Sequence, residues 1–306
     1  MVKLIVLVVS LIISLGKNEI KEINATGVNP NEIILNAQRI AFATDGKILL
    51  TDKLFCRVNV YDKNLKLVST IGKKGKGLGE FKAPSQIVCN DKYMVVSDFA
   101  SSRVQVFNRS NNTISTFYTD GPIFNMIFGK DNNLLIGVYT GKKDRALFNY
   151  SIFGKKQGIV QLKNCFGDPF KDIFKMVLLS NGYLTITYLV QNVVEILDEN
   201  FKFYNSIRIK SLPIQPEYQI IKSGLKIPTD NIIQGIATDS KARIFILAAN
   251  YVKMPKQEVF VYDFKGHYLK NFVLPNQCDE IFFDKDNNLY TIENNRTYLK
   301  KYKIRI

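Results

Sequence analysis

Residues 71–107 read IGKKGKGLGEFKAPSQIVCNDKYMVVSDFASSRVQVF, and this stretch decides the fold. A glycine-rich basic turn is followed by two short apolar runs, residues 87–89 and 94–96, and Asp98 closes the second run. Five residues later Arg103 opens a third run, in which apolar and polar residues alternate. Short β-branched runs separated by Asn, Asp and Gly turns are typical of β-strands. The stretch therefore predicts a loop followed by three strands.

The same pattern occurs in the residues just before this stretch. Superposing Asp52 on Asp98 also places Arg57 on Arg103, and three apolar positions of the third run agree at the same offset. Later copies are degenerate but keep the order of apolar run, Asx or Gly turn, and apolar run. The first runs contain Ile40, Ile87, Met126, Met176, Ile236 and Ile281, which are 47, 39, 50, 60 and 45 residues apart.

This spacing is that of a four-stranded propeller blade, about 40 to 50 residues. The widest interval indicates an insertion within residues 210–230, and no long stretch has helical spacing. Six copies predict an all-β, six-bladed β-propeller that forms one domain over residues 17–306. The sixth copy ends after its third strand. We therefore expect the segment from Ile20 to Leu35 to supply the fourth strand and close the ring.

Residues 71–107 also resemble the NHL repeat. The likeness rests on the glycine-rich turn, on Phe81 and Pro84 in a Phe-x-x-Pro pattern, on the strand that ends at Asp98, and on Arg103 before the third strand. It covers about an eighth of the chain. NHL repeats build β-propellers, so the resemblance implies the same fold as the spacing and leaves the function open.

Residues 1–16, MVKLIVLVVSLIISLG, have the layout of a secretory signal peptide. Lys3 precedes an apolar run over residues 4–15, and the small residues Ser14 and Gly16 stand before Lys17. The run is shorter than the roughly 20 residues that span a membrane. We expect a secreted or periplasmic protein, with a short uncleaved anchor or an apolar terminal strand as the alternatives.

The composition favours anionic partners. Lys and Arg number 42 against 27 Asp and Glu, a formal net charge of +15. Such a surface attracts nucleic acid, phospholipid headgroups or acidic polysaccharide, although many lysines would simply be solvated at hairpin tips. The chain has one histidine, His267, and no tryptophan. This scarcity argues against His-rich metal sites and against Ser-His-Asp or Cys-His catalysis.

Several other motifs have structural interpretations. The chain has four cysteines, which form no CxxC pair: Cys56, Cys89, Cys165 and Cys278. If the protein is exported, one disulfide between two of them is an alternative to four free thiols. The glycines of residues 72–79 lack the spacing of a phosphate-binding loop. We expect Asp52 with Arg57, and Asp98 with Arg103, to form bidentate bonds that fix a strand turn.

One polar residue stands directly before the first apolar run of each copy. In a propeller this position lies at the mouth of the central channel. A hydrated funnel is one interpretation; a site for a carboxylate, phosphate or acidic sugar is the other, with two cations holding the anion and three amides orienting it. The six predicted ligand-binding residues are Arg39, Gln86, Asn125, Lys175, Gln234 and Glu280.

Three function classes remain. The first is an exported, monomeric, non-catalytic module that binds an anionic small molecule, a glycan or a protein, with no cofactor and no metal. The second is a metal-dependent lactonase-like hydrolase, in which Glu280 and Asn125 would be ligands although Arg39 and Lys175 oppose a cation. The third is an RNA-binding NHL domain, which the charge permits and the export signal argues against. We favour the binding module.

Overall fold

The computed structural model describes residues 20–26, 33–108, 110–139, 145–164, 170–214, 216–222, 225–249 and 257–305. The predicted signal peptide and Cys165 lie outside the described residues. Within them the regular structure is β, apart from two short 3-10 turns, Phe99–Ser101 and Lys130–Asn132. No helix in these ranges is long and apolar enough to cross a membrane.

The strands are short and follow one another at regular intervals. In chain order they are β1 Ile20–Thr26, β2 Ala37–Phe42, β3 Ile48–Asp52, β4 Arg57–Tyr61, β5 Leu67–Ile71, β6 Lys73–Lys74, β7 Glu80–Phe81, β8 Pro84–Cys89, β9 Met94–Asp98, β10 Arg103–Phe107, β11 Thr113–Tyr118, β12 Ile123–Phe128, β13 Leu134–Tyr139, β14 Arg145–Tyr150, β15 Lys156–Val160, β16 Phe174–Leu178, β17 Leu184–Tyr188, β18 Val193–Leu197, β19 Phe203–Arg208, β20 Tyr218–Ile220, β21 Lys226–Pro228, β22 Ile233–Thr238, β23 Ile244–Ala248, β24 Glu258–Tyr262, β25 Tyr268–Val273, β26 Cys278–Phe283, β27 Leu289–Glu293 and β28 Tyr298–Ile304.

Six four-stranded antiparallel sheets form the blades of a propeller. Blades 1 to 5 are β2–β5, β8–β11, β12–β15, β16–β19 and β22–β25, and blade 6 is β26–β28 with β1. In blades 1 to 5 the first strand contacts the first strand of the next blade, and Glu280 of blade 6 contacts Arg39 of blade 1, so these inner strands surround the central channel. The fourth strands are largely exposed at the rim. The predicted all-β, six-bladed architecture is therefore confirmed.

The blades stack face to face, and this explains why the middle strands are continuously apolar. The second strands of blades 1 and 2, β3 and β9, are buried along their whole length. Apolar side chains of neighbouring blades share one core; Val104 of blade 2, for example, packs in a cluster with Met126 and Ile136 of blade 3. A strand covered on both faces reads as an apolar run rather than as an alternation.

The N-terminal strand closes the ring, as predicted. β1 pairs antiparallel with β28, with Ile20 opposite Ile304 and Thr26 opposite Leu299. Blades 6 and 1 are also joined directly, nearer the channel, by a hydrogen bond that the amide of Ala37 donates to the carbonyl of Arg296 at 2.8 Å. Closure by the N-terminal strand removes the open edge that β28 would otherwise present to solvent.

Antiparallel order gives the disc two distinct faces. We call upper the face that carries the connections between blades and the turns between second and third strands. The lower face carries the other two turns of each blade. Two connections on the upper face have structure of their own: β6 pairs with β7 in the glycine-rich loop, and β20 pairs with β21 in a hairpin between blades 4 and 5. The hairpin lies within the predicted insertion, residues 210–230.

The glycine-rich loop is shaped by its contacts with Phe81 and with Arg103. Gly72 has φ +83°, and a Cβ there would lie 2.4 Å from the buried ring of Phe81. The guanidinium of Arg103 donates to the carbonyls of Lys76 at 2.7 Å and Gly77 at 3.1 Å. Only glycine can bring the backbone this close to the ring at a positive φ.

The predicted bidentate Asp–Arg bonds are wrong. The Asp98 carboxylate accepts the backbone amides of Lys82 at 2.6 Å and Ala83 at 3.2 Å, and Arg103 lies 3.9 Å away. Asp52 likewise accepts backbone amides, and the Arg57 guanidinium lies over the Phe55 ring at 4.3 Å. Both carboxylates hold the connection that enters their blade, because they accept backbone amides that have no partner in a neighbouring strand.

Of the cysteines in the described ranges, Cys56 is a buried free thiol.

Candidate functional site

The six predicted residues all lie near the upper ends of the inner strands. In five of the six blades the pairing of the inner strand with its neighbour shifts register at this point. Blade 4, which carries Lys175, pairs regularly. A β-bulge re-aims the side chains around it. The bulges therefore occur at the level where the chain places its polar residues along the channel.

Glu280 is the centre of an ion cluster. Its Oε1 atom contacts the ammonium of Lys175 and lies 3.5 Å from the guanidinium of Arg296, and its Oε2 atom lies 3.5 Å from Arg39. Lys175 also donates to the backbone carbonyl of Gln234 at 2.5 Å. One carboxylate thus joins side chains of blades 1, 4 and 6, and Lys175 extends the cluster to blade 5.

The cluster is largely shielded from water. The Glu280 side chain is 5 % exposed and that of Lys175 is 14 % exposed. Burial lowers the pKa of Lys175, an effect that Glu280 opposes and that Arg39 and Arg296 increase. Burial by itself would raise the pKa of Glu280, but Lys175, Arg39 and Arg296 together lower it. Glu280 is therefore ionised near neutral pH, and three cations share one anion.

Gln86 and Asn125 lie on the opposite arc of the channel, in blades 2 and 3. The side-chain carbonyl oxygen of each is buried and has no hydrogen-bond partner. A buried polar atom without a partner costs about 1–3 kcal/mol. These two side chains therefore provide unpaired hydrogen-bond acceptors across the channel from the cations.

Gln234 is placed at the channel but its amide is already used. Its Nε2 atom donates to the carbonyl of Asp279 at 3.1 Å and so links blade 5 to blade 6. The structure therefore brings Arg39, Lys175 and Glu280 into direct contact, adds Gln234 through its backbone, and leaves Gln86 and Asn125 apart from the cluster.

Arg296 also belongs to the cluster. The internal repeats do not predict it, because the predicted site residues come only from the positions before the inner strands. It lies in the turn between β27 and β28, where Asn294, Asn295 and Arg296 have φ of 50°, 53° and 69°. Its Nη1 atom donates to the carbonyls of Ala37 at 3.1 Å and Gln38 at 3.4 Å. The Asn-Asn pair before it is a signal for left-handed backbone, but nothing local aims the guanidinium at the channel.

Two cavities border this region. A cavity of about 340 Å³ between blades 4 and 5 is lined by the side of Gln234, by apolar residues such as Ile173 and Val190, and by Asp230. A groove of about 620 Å³ along blade 6 contains Glu293, Lys300 and Glu22. In that groove Lys300 contacts Glu22 at 3.0 Å and Glu293 at 3.4 Å, so these charges are mutually paired.

The cluster suits an anion better than a metal ion. A cation that approached Glu280 would meet three positive side chains already bound to its oxygens. Across the described ranges, no group of three or more His, Cys, Asp or Glu side chains is arranged to hold a metal.

Comparisons with solved structures support the fold. A member of the DUF4221 family from Bacteroides vulgatus has a TM-score of 0.62 at 14 % identity, over 94 % of this chain and 98 % of that chain. The virginiamycin B lyase of Staphylococcus aureus has a TM-score of 0.59 at 13 % identity, over 94 % and 99 %. A protein of unknown function from Bacteroides caccae has a TM-score of 0.55 at 12 % identity, over 80 % and 85 %. Neither the protein-family models nor the curated proteins match the sequence. At these identities the likeness shows a six-bladed propeller and no more.

Proposed function

We propose that this protein is a non-catalytic binding module that takes a small anion at the upper mouth of its channel. The observation that carries the proposal is the cluster of three largely buried cations, Arg39, Lys175 and Arg296, around the single carboxylate of Glu280. These basic side chains outnumber the one carboxylate in a place where water is scarce. A carboxylate, a phosphate or an acidic sugar would supply the missing charge.

The residues have distinct roles in this proposal. Glu280 holds the three cations in place, so their side chains lose little freedom when an anion arrives. Arg39 and Lys175 bind the anionic group, and the unpaired carbonyl oxygens of Gln86 and Asn125 accept hydrogen bonds from hydroxyl groups elsewhere on the ligand. Gln234 acts through its backbone carbonyl, which fixes Lys175.

An enzyme is the main alternative, because one of the structural neighbours is a lyase. That lyase has a catalytically inactive histidine-to-alanine variant that was crystallised with quinupristin. Here His267 lies in an exposed turn on the lower face of blade 5, bonded to Asp263 at 2.9 Å. The channel cluster opens on the other face. This placement favours binding over lyase chemistry of that kind, and the cations around Glu280 oppose a lactonase-like metal site.

The NHL-like repeat and the export of the protein are part of the proposal. The contact of Gly72 with the Phe81 ring supports the interpretation of residues 71–107 as a repeat of that type. An exported propeller would meet acidic sugars or small metabolites more often than RNA, and we retain RNA as the third candidate because of the net charge of +15.

The test is calorimetric titration with inorganic phosphate, citrate and galacturonate. We expect at least one of them to bind the parent protein, and the double variant Arg39→Ala with Lys175→Ala to lose about 2–5 kcal/mol of binding free energy. Gln86→Ala should weaken binding less and leave the cluster intact. The control is Lys63→Ala with Lys285→Ala, two exposed lysines of the lower face. Equal affinity of parent and channel variant for a bound anion would contradict the site.

A further inference from the structure

The two faces of the disc differ in chemistry. On the lower face, Asp and Asn side chains accept the amides of their own turns, a polar arrangement that needs no external partner. The residues that do so in the described ranges include Asp62, Asn90, Asn108, Asp198, Asp263 and Asp284. In these described lower turns one large apolar residue is strongly exposed, Phe153.

The upper face instead exposes large apolar side chains on several separate loops. Leu54 in the turn of blade 1 is 62 % exposed, Leu78 in the glycine-rich loop is 70 % exposed, and Ile220 in the β20–β21 hairpin is 68 % exposed. Further exposed apolar residues in the loops of the upper face are Phe55, Phe99, Ile214, Tyr218, Ile221 and Leu225. Apolar residues gathered on one face in this number indicate an interaction surface.

The same loops carry most of their charge as cations. The segments 53–57, 72–82 and 210–230 contain nine basic residues and three acidic ones, Glu80, Glu217 and Asp230. Glu80 accepts the amide of Gly77 at 2.9 Å and lies 3.5 Å from the ammonium of Lys73. The basic residues are Lys53, Arg57, Lys73, Lys74, Lys76, Lys82, Lys210, Lys222 and Lys226.

We propose that the upper face docks onto the surface of an anionic lipid bilayer. Leu, Ile and Phe side chains at loop tips insert at the boundary between headgroups and acyl chains, while the lysine ammonium groups stay at the level of the phosphates. Protein–protein interfaces have the opposite bias, because lysine is depleted there. The apolar residues also come from separate loops of one flat face rather than from a groove, which fits a planar partner.

This docking does not depend on the anion site, although the channel opens on the same face. A docked protein would present its channel mouth to the headgroup layer. The charge pattern predicts that anionic lipid is required, since each lysine near such a surface contributes about a fivefold gain in affinity.

The absence of tryptophan from the chain allows a direct test. Phe99→Trp and Ile220→Trp place single fluorophores on the upper face, and Phe153→Trp places a matched one on the lower face. With vesicles of phosphatidylcholine and phosphatidylglycerol we expect a blue shift for the two upper reporters and none for Phe153→Trp. Vesicles of phosphatidylcholine alone should give a much smaller shift. Because each reporter is local, the apolar residues 1–16 do not affect this comparison.

Charge reversal provides the second measurement. Lys74→Glu with Lys222→Glu should reduce the vesicle-induced shift of the Phe99→Trp reporter and weaken the binding that this shift measures by about 25-fold or more. Lys63→Glu with Lys285→Glu, on the lower face, should change it far less. No shift of the upper reporters with anionic vesicles, or equal effects of the two charge reversals, overturns the proposal. A blue shift that instead rises with protein concentration without lipid overturns it in favour of self-association.

Discussion

Glu280 shows how a buried carboxylate can organise a site at the scale of one residue. It lies between three cations that come from distant parts of the chain, and each would be an uncompensated buried charge without it. Breaking a buried ion pair by removing one partner is more costly than the pair is stabilising, because the remaining charge is left without a partner.

The first prediction concerns that carboxylate. Glu280→Gln keeps the size of the side chain and removes its charge, so we expect the free energy of unfolding to fall by about 3–5 kcal/mol. Chemical denaturation of the parent and the variant measures the difference. Asp286→Asn, at an exposed turn of the same blade, should change the stability by less than about 0.5 kcal/mol. A Glu280→Gln protein as stable as this control would mean that the cluster is not held by charge.

The second prediction is that the difference in unfolding free energy between the parent and Glu280→Gln depends on pH. The pKa of Glu280 lies below its ordinary value of 4.5, so the folded protein keeps the carboxylate ionised where the unfolded chain protonates it. Its contribution to stability is present above that value and is lost as the pH falls through the folded pKa. The stability gap between the parent and Glu280→Gln should therefore narrow on acidification from pH 7. A gap that stays constant or widens would contradict the assignment.

Arg57 and Arg103 occupy equivalent repeat positions but have different surroundings. Arg103 donates to backbone carbonyls of the glycine-rich loop, so Arg103→Ala should destabilise the protein by about 2–3 kcal/mol. Arg57 lies over Phe55, so Arg57→Ala should cost about 1 kcal/mol or less. Urea denaturation of the two variants provides the comparison, each serving as the control for the other. Equal losses would show that the repeat position, rather than the loop contact, decides the cost.

At the scale of whole elements, β1 contributes more than a terminal strand usually does, because it completes blade 6. Deleting residues 20–26 exposes the edge of β28 and opens the ring, so we expect the melting temperature to fall by about 10 °C or more. A matched deletion of the β20–β21 hairpin, residues 217–228, removes an insertion outside the six sheets and should lower it far less. If the β1 deletion melts within about 2 °C of the parent, ring closure does not stabilise the protein.

At the scale of the whole molecule, we expect the N-terminal segment to direct export of the protein. The layout of residues 1–16 predicts cleavage, so mass spectrometry of the protein purified from its native source should find an N-terminus at or near Lys17. A chain that begins at Met1 and stays in the cytosol would remove the export part of the proposed function. The anion titration and the vesicle experiment do not depend on that outcome.

Much of the architecture follows from local patterns along the chain. The repeat period, the Asx turns and the apolar runs predict six blades, the insertion between blades 4 and 5, and closure by the N-terminal strand. These features are local because strand pairing within a blade joins neighbours in sequence through short turns. The polar residue before each inner run lies near the upper end of its inner strand, since its register in the strand is set by the same turns. That these residues bind a ligand stays a prediction.

The contacts of the channel residues were decided by tertiary structure. Arg39 and Glu280 are 241 residues apart, and Lys175 is 105 residues from Glu280, so no local pattern specifies that they meet. The bulges re-aim the inner strands, Gln234 turns to Asp279, and Arg296 enters from a turn of another blade. Aspartates expected to bind arginines instead accept free amides of the blade connections. Closure of the ring brings these groups into low dielectric, where partner geometry determines which charges pair.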